Sequence, residues 1–215
     1  MELYKTIRSE ASETQIIEKS KFIAHAAPAS DRDEADAFVA EIKSRYKDAT
    51  HNVPAMVLGD KSQTQWASDD GEPQGTSGAP IVQMLVSEGL TNLVVVVTRY
   101  FGGIKLGTGG LVRAYTSSAK LAVEAAGICS VANVLKMTCQ IDYSYLAKLQ
   151  NMAAESLSDC AGEMRYVIGE VTYSDKVQLD LMTFAENREE LEGMIANITS
   201  GTGTILSACE GPEKV

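Results

Sequence analysis

The amino-acid sequence predicts an α+β protein built from two domains. Three observations support this. Strand and helix patterns are mixed along the whole chain. The pattern restarts after residue 133, and the second half has the order βαββαβ of the ferredoxin-like split unit. With 215 residues, 45% of them hydrophobic, the chain can form one large core or two small ones. We place the domains at residues 1–130 and 134–210. Ile128–Asn133 is the predicted linker between them and the expected site of proteolysis.

The first elements are predicted from local periodicity. Loose alternation over Ile16–Ala24 indicates two strands or one bent strand. Ser30, with Asp33 three residues later, resembles a capping box at the start of a helix. An apolar stripe at helical spacing then predicts a helix that ends near Lys47.

A hairpin, a loop, a helix and a central strand are predicted next. Val53–Leu58 and Thr64–Ala67 indicate strands that are joined by a tight turn. The loop 68–80 is dense in turn-forming residues, and its Pro80 suits the first turn of a helix that runs to about residue 88. The β-branched run Leu93–Thr98 is typical of a central strand buried on both faces.

Glycine dominates the segment that follows this strand. Five of the nine residues from Gly102 to Gly110 are glycine, and an alanine-rich helix then runs through Ala126 with Gly127 as its C-terminal cap. Glycines before a helix let several backbone N–H groups face one point, and the helix N-terminus adds a partial positive charge. The segment therefore indicates an anion site, with phosphate as the natural ligand.

The charge of this region differs from that of the whole chain. The net charge of −10 argues against a nucleic-acid partner. However, residues 89–123 contain no Asp or Glu, while Arg99, Lys105, Arg113 and Lys120 give +4, so the other residues carry −14. We therefore predict a contact surface for nucleic acid or another anion. Its residues are Arg99, Gly102, Gly103, Lys105, Gly107, Thr108, Gly109, Gly110 and Arg113.

Two other interpretations of the glycine segment stay open. The glycines could serve only tight turns and close packing, or the segment could bind a protein partner. Tyr100 and Phe101 could stack on bases or fill the core, with the core slightly favoured, and Trp66 is most simply a packing residue. Neither the P-loop nor the dinucleotide fingerprint is present, which argues against an ATPase or a Rossmann dehydrogenase.

No catalytic or metal-binding residue is predicted. Asp69, Asp70 and Glu72 could hold Mg²⁺ beside a phosphate, but a solvated turn is the simpler interpretation. His51 has no serine or cysteine in a nucleophile-elbow motif to activate. We expect no cofactor either.

The remaining composition indicates a cytoplasmic protein with no membrane partner. The longest apolar run, Leu93–Val97, is far below the roughly 20 residues of a membrane-spanning helix, and residues 1–10 lack the apolar core of a secretory signal. The widely spaced cysteines 129, 139, 160 and 209 are interpreted as reduced core thiols. We expect a monomer or a weak oligomer.

The second half predicts the elements of the ferredoxin-like unit. In order, they are a strand Val134–Ile141, a helix with an apolar face of Leu146, Leu149, Ala153 and Leu157, strands Glu163–Ile168 and Val177–Phe184, a helix with an apolar face of Leu191, Met194, Ile195 and Ile198, and a strand Gly203–Ala208.

Two long motifs resemble the signature of the IMPACT (YigZ) family. They are Ser68-Asp-Asp-Gly-Glu-Pro-Gln-Gly-Thr-Ser-Gly78 and Val95-Val-Val-Thr-Arg-Tyr-Phe-Gly-Gly-Ile-Lys-Leu-Gly-Thr-Gly-Gly-Leu-Val-Arg-Ala-Tyr115, with support from Ser20-Lys-Phe-Ile-Ala24. The resemblance implies an N-terminal domain like the second domain of a small-subunit ribosomal protein and like domain IV of elongation factor G. It also implies a C-terminal domain like domain V of that factor.

The same resemblance implies a translation-associated binding or regulatory protein. Eukaryotic relatives bind the activator of a general-control kinase, and bacterial members are thought to bind nucleic acid or ribosomes. RNA, the ribosome or a translation-regulatory protein is therefore the expected partner. Some relatives carry a proline-dipeptidase label, so a metal-dependent hydrolase is the alternative. The chain has His51-Asn-Val-Pro-Ala-Met56 where the family usually has a His-x-Cys-x-Ala-Tyr-like run, so no role of that cysteine transfers.

Overall fold

The structure is a computed structural model that describes residues 2–158 and 166–215. Within these residues the elements are β1 (Glu2–Ile7), β2 (Ala11–Ile17), β3 (Ser20–Pro28), α1 (Arg32–Arg45), β4 (His51–Leu58), β5 (Thr64–Ala67), α2 (Gly78–Ser87), β6 (Leu93–Tyr100), α3 (Gly107–Ala125), β7 (Ile128–Ile141), α4 (Tyr143–Ser158), β8 (Tyr166–Tyr173), β9 (Val177–Phe184), α5 (Arg188–Ile198) and β10 (Thr204–Lys214). The contacts divide the chain into two compact units, one over Tyr4–Val131 and one over most of Ala132–Glu213. None of the helices described is long and apolar enough to cross a membrane.

The N-terminal unit is an antiparallel sheet with helices on both faces. Its strand order is β2-β3-β6-β4-β5. Residues of α2 and α3 pack with one face of the sheet, and Ala35 of α1 packs with the other. Every residue of Leu93–Val97 is fully buried, because β6 is central and covered on both sides. The predicted central strand is therefore confirmed.

The C-terminal unit has its elements in a βαββαβ-like order. The sheet has the strand order β1-β7-β9-β8, and β10 also pairs with β7. Buried and exposed side chains alternate along the first part of strand β9, with Val177, Leu179 and Leu181 buried. Those residues share a core with Leu149 of α4 and Leu191 of α5, so both helices cover the same face of the sheet.

Several local predictions need correction. Strand β1 was not predicted, and residues 128–133 are the first part of strand β7 rather than an irregular linker. Their β-branched and small residues suit a strand, and pairing with β1 is a long-range event that their own sequence does not reveal. The predicted strand at residue 163 begins outside the described residues, and so does Cys160. Of the other cysteines, Cys129 and Cys139 are buried, whereas Cys209 is exposed.

The cap of α1 also differs from the prediction. Asp31 is the N-cap, and its side chain accepts a hydrogen bond from the Glu34 N–H at 2.9 Å. The Glu34 carboxylate in turn accepts from the backbone N–H and the hydroxyl of Ser30. The N-cap is therefore one residue later than the Ser30 and Asp33 pair suggested, and Glu34 reaches back to Ser30 rather than to the backbone N–H of the N-cap residue. By contrast, Gly127 follows α3 with φ +76°, as its predicted capping role requires.

Candidate anion-binding site

The loop between β6 and α3 is held against the start of β3 by a close backbone approach at Gly102. A β-carbon at Gly102 would lie 2.0 Å from the carbonyl carbon and oxygen of Lys19, so no other residue fits there. The Gly102 N–H also donates to Ser20 Oγ at 3.2 Å. Gly103 and Gly107 have φ of +87° and +69°, which favours glycine. At these three positions, the purely structural interpretation of the glycines is sufficient.

Gly109 does not have the same structural need. Its φ is not positive, and a β-carbon there would have Arg113 Nη1, at 3.8 Å, as its nearest neighbour. Alanine would therefore fit in the first turn of α3 without strain. Gly110 is intermediate, because a β-carbon would lie 3.0 Å from Leu106 Cβ. The absence of a side chain at Gly109 leaves the first turn open to a ligand.

The N-terminus of α3 is exposed and lacks a side-chain cap. The N-cap residue is Leu106, whose side chain has no hydrogen-bond acceptor, and Gly107, Thr108 and Gly109 are all exposed. The first turn of a helix contains N–H groups without an intrahelical acceptor, and these favour an anion. Residues 107–109, for which the sequence predicts backbone donors to an anion, thus form an exposed first turn of α3.

Lys105 and Arg113 supply positive charge beside this helix end. Both side chains are exposed, and within the described part of the chain neither forms an ion pair or a side-chain hydrogen bond. Both line a cleft of about 750 Å³ in the N-terminal unit. The fourth cation of the acid-free segment, Lys120, also lines the cleft, but it pairs with Glu88.

The fold places two glutamates in the cleft, although residues 89–123 themselves contain no Asp or Glu. Glu18, from the turn between β2 and β3, and Glu88, at the end of α2, both line the cleft. No local signal could have identified them, because each comes from a different part of the sequence. The local charge is therefore less positive than the sequence window alone indicated.

Arg99 is placed differently from Lys105 and Arg113. It is only 5% exposed, and its Nη1 donates to Glu72 Oε1 at 2.6 Å. Its Nη2 donates to Ser20 Oγ at 3.3 Å. The guanidinium group is thus committed to the interior and is not a surface cation.

Glu72 is the centre of a buried polar cluster. Tyr115 Oη donates to Glu72 Oε1 at 2.8 Å, and His51 Nε2 lies 3.8 Å from the same oxygen. Burial, followed by the hydrogen bond to Glu72, raises the pKa of Tyr115 far above its usual value. The cluster joins the 68–77 loop to β6 and α3, so Glu72 does not belong to a solvated turn as the sequence analysis suggested.

The two aspartates of the same loop have separate structural roles. Asp69 accepts hydrogen bonds from Gly75, Ser77 and Gly78 near the start of α2. Partial burial raises the pKa of Asp69, but these hydrogen bonds outweigh it, and the pKa lies below its usual value. Asp70 instead accepts from Lys43 Nζ and from a backbone N–H of β4, both at 2.7 Å. In the described residues, no group of three or more His, Cys, Asp or Glu could hold a metal ion.

Two aromatic residues that the sequence analysis considered as packing residues, Phe101 and Trp66, are partly exposed. Phe101 is 47% exposed, and the Tyr100 hydroxyl donates to Asp48 at 3.0 Å. Trp66, on β5, is 36% exposed and has the Arg32 guanidinium 4.5 Å from its ring centroid. The interpretation of Phe101 as a core residue was therefore wrong, because the chain leaves the sheet at Tyr100.

Comparison with known proteins identifies the family. Residues 18–123 match the family model described as the Impact N-terminal domain. The chain is 38% identical over 186 residues to IMPACT family member YvyE of Bacillus subtilis (strain 168), which covers 86% of this chain and 81% of that protein. It is 33% identical over 193 residues to IMPACT family member YigZ of Escherichia coli (strain K12), with 89% and 91% covered. A crystal structure of a hypothetical protein matches with a TM-score of 0.59 and 30% identity, over 96% of this chain and 98% of that one. The chain belongs to the IMPACT family.

Proposed function

We propose that this protein acts in or near translation by binding phosphate-rich RNA, either free or within the ribosome. The contact surface comprises Lys105, Arg113 and the first turn of α3 at residues 107–110. The observation that carries the proposal is that Lys105 and Arg113 are exposed beside an uncapped helix N-terminus, without an ion-pair partner in the described part of the chain. This arrangement combines backbone donors with full charges, the two features that recur in phosphate sites.

The placement in translation rests on the family and on the fold of each unit. Within the C-terminal unit β10 pairs with β7, β7 with β9 and β9 with β8, which is the succession expected of a ferredoxin-like domain and supports the comparison with domain V of elongation factor G. The proposed likeness of the N-terminal unit to domain IV and to a ribosomal-protein domain points to the same partner. The charge of −14 outside residues 89–123 would oppose RNA on the other faces, so affinity should be modest.

Salt dependence tests the proposal. If Lys105 and Arg113 each neutralise one phosphate, the slope of log affinity against log salt should be roughly −1.4 to −1.8, at about 0.7 to 0.9 per contact. Lys105→Ala should flatten the slope by about 0.7 to 0.9. The measurement is a fluorescence-anisotropy titration of ribosomal RNA fragments from low to moderate salt.

The matched control is Lys61→Ala. Lys61 is exposed at the β4–β5 turn and has no ion pair within the described residues, so this variant should keep the wild-type slope. Equal slopes for wild type, Lys105→Ala and Arg113→Ala would refute the proposed surface, as would undetectable binding at low salt. Arg99→Ala should act mainly through stability, because Arg99 is buried.

A protein partner is the second candidate, and the half-exposed Phe101 ring favours it. Binding of a protein should survive ribonuclease, and Phe101→Ala should weaken it more than Lys105→Ala does. Pull-down from cell extract with and without ribonuclease separates the two candidates.

A further inference from the structure

The cleft beside Lys105 and Arg113 has an apolar lining that a phosphate-only ligand would not use. Besides the charged residues, it is lined by Ile17, Met84, Ile104, Leu106 and Ala114. Ile104, which precedes Lys105 in the chain, is 38% exposed and so presents apolar surface beside that cation. The cleft is open to solvent, and its volume of about 750 Å³ is within the range of pockets that bind small ligands.

The charges in the lining favour a ligand of low charge density. Two cations, Lys105 and Arg113, have no ion pair, but Glu18 also faces the cleft without one in the described part of the chain. Glu88 is neutralised by Lys120. A duplex presents closely spaced phosphates and riboses and hides its base faces, so it would meet Glu18 and leave the apolar lining uncovered. A single strand can place its phosphates on the cations and turn its bases toward apolar side chains.

We propose that this cleft binds an unpaired segment of RNA, with phosphate at Lys105 and Arg113 and base faces against Ile104 and Met84. The inference rests on the proposed function and adds the strandedness of the ligand to it. Apolar contact with base faces does not distinguish one base from another, so binding depends on unpaired bases and not on their sequence.

The test compares three oligonucleotides with the full chain at low salt. They are a single-stranded RNA of about ten nucleotides, which is a usual site size for a single-strand binder, an abasic strand with the same phosphates, and the matching duplex. The base-bearing single strand should bind about ten-fold more tightly than the abasic strand and the duplex, because only its base faces bury apolar area against Ile104 and Met84. Fluorescence anisotropy measures all three.

Two substitutions at Ile104 locate the contact. Ile104→Ser should weaken binding of the base-bearing strand about five-fold and leave the abasic strand unchanged, because only base faces use the apolar area. Ile104→Phe should strengthen binding of the base-bearing strand, a gain that misfolding cannot produce. Ile128→Ser is the matched control, since Ile128 is 43% exposed and does not line the cleft.

Each outcome decides between the proposals. Equal affinity for the base-bearing and abasic strands overturns this inference and leaves the phosphate surface standing. Tightest binding to the duplex overturns it as well. Undetectable binding of every oligonucleotide overturns the proposed function too. Equal weakening of both single strands by Ile104→Ser, with no gain from Ile104→Phe, shows that Ile104 only supports the fold of the loop and also overturns the inference.

Discussion

At the residue scale, the buried pair of Arg99 and Glu72 should be a main determinant of stability. Glu72→Ala leaves the Arg99 guanidinium buried without its counter-ion, and the loss of one partner of such a pair costs about 3 to 5 kcal/mol. Urea unfolding monitored by circular dichroism measures the change. The double variant Glu72→Gln with Arg99→Met should lose less stability than Glu72→Ala, because it leaves no unpaired charge in the interior.

A free energy of unfolding for Glu72→Ala within about 0.5 kcal/mol of wild type would contradict this account, since that is the usual effect of a surface substitution. Tyr115→Phe offers a milder comparison. It removes only the hydroxyl that donates to Glu72, so it should cost about 1 kcal/mol.

His25 should make stability depend on pH. It is 1% exposed on β3, its ring lies 5.0 Å from that of Tyr46, and neither ring nitrogen has a hydrogen-bond partner in the described structure. Burial, with a smaller effect from the charge of Arg45, lowers the pKa of His25 from 6.5 to about 4. The unfolded chain therefore binds a proton more readily than the folded protein. The contribution of neutral His25 is fully present above pH 6.5 and is lost as the pH falls from 6.5 toward 4.

The expected loss is roughly 3 kcal/mol across that range, at about 1.4 kcal/mol for each pH unit of the shift. Carboxylates titrate in the same range, so the measurement is the difference between wild type and His25→Leu in urea unfolding at several pH values. The variant should lack this part of the pH dependence. Parallel curves for the two proteins would mean that His25 is hydrated or protonated in the folded state.

At the element scale, the glycines around the start of α3 are of two kinds: some are required by the backbone, and Gly109 is not. Gly109→Ala should raise the free energy of unfolding by about 0.5 to 1 kcal/mol, because alanine favours the helix and its β-carbon fits. The same change should weaken RNA binding, since a methyl group then covers the first turn. Thermal unfolding and the anisotropy titration measure the two effects on one protein preparation.

Gly102→Ala is the contrasting variant, because its β-carbon would overlap the Lys19 backbone and must displace the loop. This variant should be clearly destabilised. If Gly109→Ala gains stability and keeps full RNA affinity, the first turn of α3 is not part of the contact surface. The absence of a side chain at Gly109 would then have no structural explanation.

At the scale of the whole molecule, the distribution of charge depends on the fold more than on the sequence window. Residues 89–123 contain no acid, yet the cleft beside them includes Glu18 and Glu88 from other parts of the chain. One of the four cations of the window is buried, and another is paired. Two cations therefore have no ion-pair partner among residues 2–158 and 166–215 and can contact a partner, which lowers the expected salt dependence of binding.

The sequence by itself determined the α+β class, most of the helices and strands, and the family. These follow from short-range patterns. The run Leu93–Val97 indicates a strand buried on both faces, and Leu191, Ile195 and Ile198 define one face of α5. The glycine-rich loop and its neighbouring cations could also be predicted, because they are contiguous in the chain.

Only the tertiary structure decided which of those residues face solvent. Arg99 is buried because Glu72, 27 positions earlier in the chain, comes to lie beside it. Strand β1 could not be identified from local pattern, since its partner β7 lies more than a hundred residues away. The cleft combines the β2–β3 turn, α2 and α3, and no single segment reveals it. Periodicity and turn chemistry act over a few residues, whereas burial, ion pairing and strand pairing depend on which distant segments the fold brings together.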